Sequence, residues 1–224
     1  MKNEKGFTLI ELAIVLAIIG LLLGGVLKGQ ELITQAKIKN AIADFGGISS
    51  AYYGYLDRYK TIPGDDPNSA TRWSVTGKGS GDGTLGVAKY NVSITTPTAT
   101  DGTEETSLFW RDMRLAGFVG GTGGANPNNA VSGMVGVQQG GDLLRSDAAT
   151  AGTGFSGLML CSSNIPDKIA ASIDSQLDDG NPQSGLVRAV LQGATPNPDI
   201  PVAAATGPVY NETGTQQYVV CKSL

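Results

Sequence analysis

Histidine is absent from this chain. Without it there is no Ser-His-Asp or Cys-His nucleophile, and the commonest protein ligand for a metal ion is missing too. Cysteine is scarce: Cys161 and Cys221 are too few to build a structural zinc site or an iron–sulfur cluster. Basic residues are outnumbered, 16 Lys and Arg against 20 Asp and Glu for a net charge of -4, which argues against a nucleic-acid-binding surface. No nucleophile-elbow pattern occurs and no two acids stand in a recognisable acid–base arrangement, so a membrane-tethered enzyme is disfavoured and only a carboxylate-only glycosidase would fit.

Two apparent nucleotide motifs fail on context. Gly81-Asp82-Gly83-Thr84-Leu85-Gly86 has the spacing of a dinucleotide loop, but no apolar strand leads into it and no helical pattern leaves it, so it reads as a loop. Gly77-Lys78 lacks the hydroxyl residue and the spacing of a P-loop.

What is present begins with an apolar run. From Phe7 to Leu27 there are 21 residues with one charge, Glu11; as a helix this is about 31 Å long, the thickness of a bilayer's hydrocarbon core. The run is too long for a cleaved secretory core, and no small-residue A-x-A site follows it. A carboxylate in hydrocarbon costs a few kcal/mol, so Glu11 either has a partner or snorkels to the interface. Lysines flank the run on both sides, at Lys2 and Lys5 and at Lys28, Lys37 and Lys39, so charge counting sets no orientation.

Beyond Leu27 the helix continues. Ile38, Ala41, Ile42, Phe45, Ile48, Tyr52, Leu56 and Tyr59 recur at intervals of three and four, an amphipathic stripe, and the first proline is Pro63. A helix from Phe7 to Tyr59 would be roughly 80 Å long. Six glycines between Gly20 and Gly47 weaken it, and the Gly20 to Lys28 stretch offers either local melting or close packing against another helix. Thr61-Ile62-Pro63-Gly64-Asp65-Asp66-Pro67 ends it, with Asp65 and Asp66 read as turn and capping residues in preference to metal ligands.

Further on, Val87 to Ile94 reads as a short strand and Glu104 to Ala116 as a helix, capped by Thr103 and with Trp110 at its margin. Gly120 to Gly141 reads as loop. Gly157 to Cys161, Leu186 to Leu191 and Gln217 to Cys221 read as strands, and Pro166 to Leu177 as a helix. The expected fold is α+β: a long N-terminal helix, half membrane segment and half amphipathic, packed against a small antiparallel sheet. The expected division is 1–6 as leader, 7–60 as spine with 7–27 as its membrane and assembly segment, and 61–224 as globular head.

Lys5-Gly6-Phe7-Thr8-Leu9-Ile10-Glu11-Leu12, with the apolar helix behind it, resembles the N-terminus of type IV prepilins and type II secretion pseudopilins. The likeness is close over residues 5 to 27 and thin beyond the helix. It implies cleavage between Gly6 and Phe7 by a prepilin peptidase and N-methylation of Phe7. Glu11 would then neutralise the new amine of a neighbouring subunit, or of its own, during assembly. It further implies a structural filament subunit, held in the inner membrane as a single-pass precursor with its head outside the cytoplasm and later assembled with like or related pilin subunits into an extracellular or periplasmic filament. A secretion pseudopilin and a minor tip subunit or tethered adhesin are the alternatives.

In an exported chain Cys161 and Cys221 read as a disulfide, with two buried thiols as the alternative. No cofactor is expected and no metal site is assigned. The Asp174, Asp178, Asp179 cluster is the best calcium candidate, since some secretion pseudopilins hold calcium in a late loop, although the same residues are ordinary turn formers.

Overall fold

The computed structural model describes residues 8–86, 88–100, 102–146, 150–202 and 209–224. The first element, α1 (Leu9–Tyr59), is an α-helix of 51 residues, about 77 Å long. Thr8 starts it as N-cap of a capping box with Glu11, which satisfies two of the amide donors a helix start leaves open. Lys60 ends it in the left-handed conformation, its N–H returning to the Leu56 carbonyl, and Pro63 bars continuation.

Along this rod burial changes character. The first buried residue is Ile38, followed by Ala41, Phe45, Ala51, Tyr52 and Tyr55, the stripe that the sequence spacing predicts. The preceding part, 9–37, has no buried residue and is apolar on every side for most of its length.

The head contributes α2 (Ser69–Trp73), α3 (Glu105–Leu115), β1 (Val135–Gln139), β2 (Leu158–Pro166), α4 (Asp167–Leu177), β3 (Val187–Gln192) and β4 (Gln217–Ser223). The strands form one antiparallel sheet in the order β1-β2-β4-β3. Alternation along the strands gives the sheet two apolar faces. Val137, Leu160, Ala189 and Val220 join the core built with α1, α3 and α4. Met159, Val190, Val219 and the two cysteines face the opposite side, under Tyr90, Leu144, Phe155 and Ile200 from loops. The α+β fold expected from the sequence is therefore the fold observed.

Four local expectations are corrected. Val87 lies outside the described residues, and 88–94 forms turns in place of a strand. Its backbone is claimed by side chains: the Tyr90 N–H donates to Gln138 Oε1, Asn126 Nδ2 donates to the Tyr90 carbonyl, and the Ile94 N–H donates to Ser107 Oγ. The Gly120 to Gly141 stretch contains β1, where Gly136 sits so close to Tyr90 that a Cβ there would stand 2.0 Å from the Tyr90 carbonyl oxygen. The glycine that disguises this strand is what lets the loop cross it. The N-cap of α3 is Glu104, not Thr103. Trp110 is fully buried, packed edge-on against Phe109 at 5.1 Å.

Candidate functional site

At the start of α1 the Thr8 N–H and the Thr8 hydroxyl both donate to Glu11 Oε2 at 2.8 Å, and the Glu11 N–H donates to Thr8 Oγ1 at 3.3 Å. Glu11 is thus held by its own helix terminus, exposed, and next to the point where the chain enters the helix. Gly6 and Phe7 lie outside the described residues. Behind Glu11, Leu21, Leu22 and Leu23 are 79%, 62% and 59% exposed. Three successive residues point to three sides of a helix, so this half-helix presents apolar surface all round, the pattern of a segment that belongs in lipid or among other helices. Its hydropathy and length suit a membrane span.

Three polar clusters stand out among the described residues of the head. Behind the Pro63 turn, Asp66 is fully buried and accepts from Tyr55 at 2.9 Å, from the Asn68 N–H at 2.8 Å and from Arg72. Burial opposes its charge, yet these donors hold the carboxyl below the usual aspartate range. On α3, Arg111 grips Asp112 through Nε and Nη2 at 2.9 and 2.7 Å and reaches the Gly77 carbonyl and Ser69 Oγ. Here burial wins over the guanidinium and pushes Asp112 up to about 6.

The third cluster, at the end of α4, is the late acidic one. Each of its members is taken up by the loop that follows. Asp174 accepts from the Gly180 N–H and Tyr210, Asp178 from the Leu186 and Val187 N–H groups, and Asp179 from the Asn181 N–H and Ser184. Burial raises Asp174, Tyr210 and Gly180 offset this, and the other two aspartates add to the rise.

Residues 1–27 match the family model described as the prokaryotic N-terminal methylation motif. This chain carries the signature of type IV pilins and pseudopilins. No curated protein matches it. The match ends within α1 and stops short of the head, whose roles rest on geometry alone. Families bearing this motif are structural rather than catalytic, and the exposed helix behind it is consistent with a membrane-anchored precursor.

In the head the two cysteines form a Cys161–Cys221 disulfide. They sit directly opposite one another in the β2–β4 pairing, on the sheet face turned away from α1. Sequence reasoning treats Asp65 and Asp66 as turn residues, but they do more. Asp66 anchors α1, and Asp65 accepts from Ser80 Oγ at 3.1 Å and from the N–H groups of Gly81, Asp82 and Gly83. Arg111 and Glu105, both charged and both on α3, are buried. That α3 carries them was legible in the sequence; what covers them was not.

Proposed function

We propose that this chain is a structural subunit of a type IV pilus or a related filament. The observation that carries the reading is the methylation motif continuous with a half-helix, 9–37, that has no buried residue in the single subunit. Roughly 44 Å of rod then needs a surrounding, first lipid and afterwards the same segment of other subunits.

Prepilin peptidase would cut between Gly6 and Phe7, and the Phe7 amine would be methylated. The new cation would lie one residue before Thr8, whose N–H and hydroxyl already hold Glu11. A neighbour's amine approaching Glu11 would meet a carboxylate fixed in place, so less ordering is lost on pairing, and each buried charge lowers the other's desolvation cost. The disulfide supports a head exported from the reducing cytoplasm. The Pro63-Gly64-Asp65 turn and the lysine at position 28, where many pilins have proline, lean towards a pseudopilin or an unusual pilin, whereas the size of the head and the cysteine pair near the C-terminus fit a pilin; a secretion pseudopilin is the second reading.

The test is Glu11→Ala in cells producing the chain, read by electron microscopy of sheared surface material and by mass spectrometry of the amino terminus. The expected result is a processed chain that begins at methylated Phe7, with filaments lost or sharply reduced in the variant. Normal filaments from Glu11→Ala, or a working protein that keeps residues 1–6, would overturn the proposal.

A further inference from the structure

A second acidic group is separate from the late cluster. Asp65 from the Pro63 turn, Asp82 from the glycine-rich loop and Glu105 from the first turn of α3 each offer a carboxylate oxygen, all within 4.8 Å of one another. Two oxygens bound to one calcium ion at about 2.4 Å stand at most about 4.8 Å apart, so the spacing suits a shared ion of that size.

The independent observation is Glu105. Its side chain is fully buried. Oε1 accepts from the Ser80 N–H at 2.7 Å, whereas Oε2 is buried with no hydrogen-bond partner. A bare carboxylate oxygen in a protein interior is costly unless something positive meets it. Among the described residues no ion pair reaches Asp65, Asp82 or Glu105.

The surrounding backbone is shaped to this group. Gly79 lies so close to Asp65 that a Cβ would stand 2.1 Å from its carbonyl carbon, and a Cβ on Gly86 would stand 3.3 Å from Glu105 Oε2. The loop is thereby folded onto both acids. Asp65 spends Oδ1 on three donors and Oδ2 on the Gly83 N–H alone, and a carboxylate oxygen with one donor keeps a second acceptor site. Asp82 is exposed and gives the site an opening to solvent.

We propose that Asp65, Asp82 and Glu105 bind a calcium ion that ties the glycine-rich loop to the Pro63 turn and to the start of α3. The donors are all hard oxygens with no histidine or cysteine among them, which favours calcium over transition metals, and carboxylates gathered from a loop, a turn and a helix start suit calcium's irregular coordination better than magnesium's octahedron.

The test uses the full chain in detergent micelles, stripped with chelator and then titrated with calcium chloride. Binding is read by calorimetry and the melting temperature by Trp73 and Trp110 fluorescence. Saturating calcium is expected to raise the melting temperature by about 5 °C or more. Glu105→Gln, which keeps the acceptor for Ser80 but replaces the bare oxygen by an amide, should lose the binding heat and the shift. Asp82→Asn, an exposed change that leaves the core intact, should weaken binding at least tenfold, while Asp179→Asn in the late cluster should leave it unchanged. No binding heat in the wild type, or a response that survives Glu105→Gln and Asp82→Asn but vanishes with Asp179→Asn, overturns the assignment.

Discussion

Tyr55, one turn before the end of the long helix, donates its hydroxyl to the fully buried Asp66 at 2.9 Å. That bond ties the spine to the turn that leaves it, and Arg72 completes the arrangement by pairing with Asp66 while lying 4.3 Å over the Tyr59 ring. The two donors differ in what their loss leaves behind. Tyr55→Phe still leaves Asp66 its guanidinium and the Asn68 amide, and should cost about 1 kcal/mol. Arg72→Ala strands a buried carboxylate without its cation and should cost about 3 kcal/mol or more. Guanidinium unfolding followed by Trp73 and Trp110, both in the head, measures this order, and a larger effect for Tyr55→Phe would contradict it.

Cys161 and Cys221 close a loop with a sequence separation of 60, for which the chain-entropy model gives on the order of 4 kcal/mol. The bond joins the two central strands of the sheet, and the last residue is also tied in, its N–H donating to the Leu158 carbonyl at 2.9 Å. Replacing both cysteines by alanine should therefore lower the unfolding midpoint by an amount equivalent to a few kcal/mol. An unchanged midpoint would show that the strands alone hold the C-terminus.

What was legible in the sequence was what one element can settle by itself. The period of Ile38, Ala41, Phe45 and Tyr52 shows which face of α1 is buried because helical spacing alone decides it. The apolar run and Glu11 needed no partner to be recognised. The illegible parts depend on residues far apart in sequence. Gly136 reads as loop until Tyr90 crosses it, Trp110 reads as marginal until the core closes round α3, and Glu105 is one unremarked charge in a helix until Ser80 and the glycine loop cover it.

Gly64 shows how a turn written in sequence becomes a packing constraint. Its φ is +89°, and a Cβ there would stand 2.3 Å from the Glu105 carbonyl oxygen and 2.8 Å from the Phe109 nitrogen, both rigid backbone of α3. Gly83 has nearly the same backbone, φ +87°, with nothing within 4 Å. Gly83→Ala should thus cost about 1 kcal/mol for backbone strain alone, while Gly64→Ala adds a clash and should cost about 3 kcal/mol or more. Thermal melts of the two variants separate conformation from contact; equal losses would mean that α3 gives way.

Asp112 sets a pH dependence whose sign follows from its burial. Its carboxyl lies at about 6 in the fold against an ordinary value of 3.8, so between these two pH values the folded chain keeps a proton that the unfolded chain has lost. The native state binds more protons there, and stability must fall as pH rises through that window. The difference of about two units corresponds to roughly 3 kcal/mol, fully present below pH 4 and gone above pH 6. Asp66 works in the opposite sense, with a lowered carboxyl whose contribution disappears only at more acid pH, so the two effects occupy different windows. Asn at position 112 cannot titrate. Relative to wild type, Asp112→Asn should gain stability steadily from pH 4 to pH 6 and stay level beyond it, whatever constant penalty it suffers from its altered bonds to Arg111 and the Gly64 N–H. Unfolding free energies of both proteins measured at half-unit intervals from pH 4 to pH 7.5 check this, and parallel curves would mean that Arg111 keeps Asp112 ionised throughout.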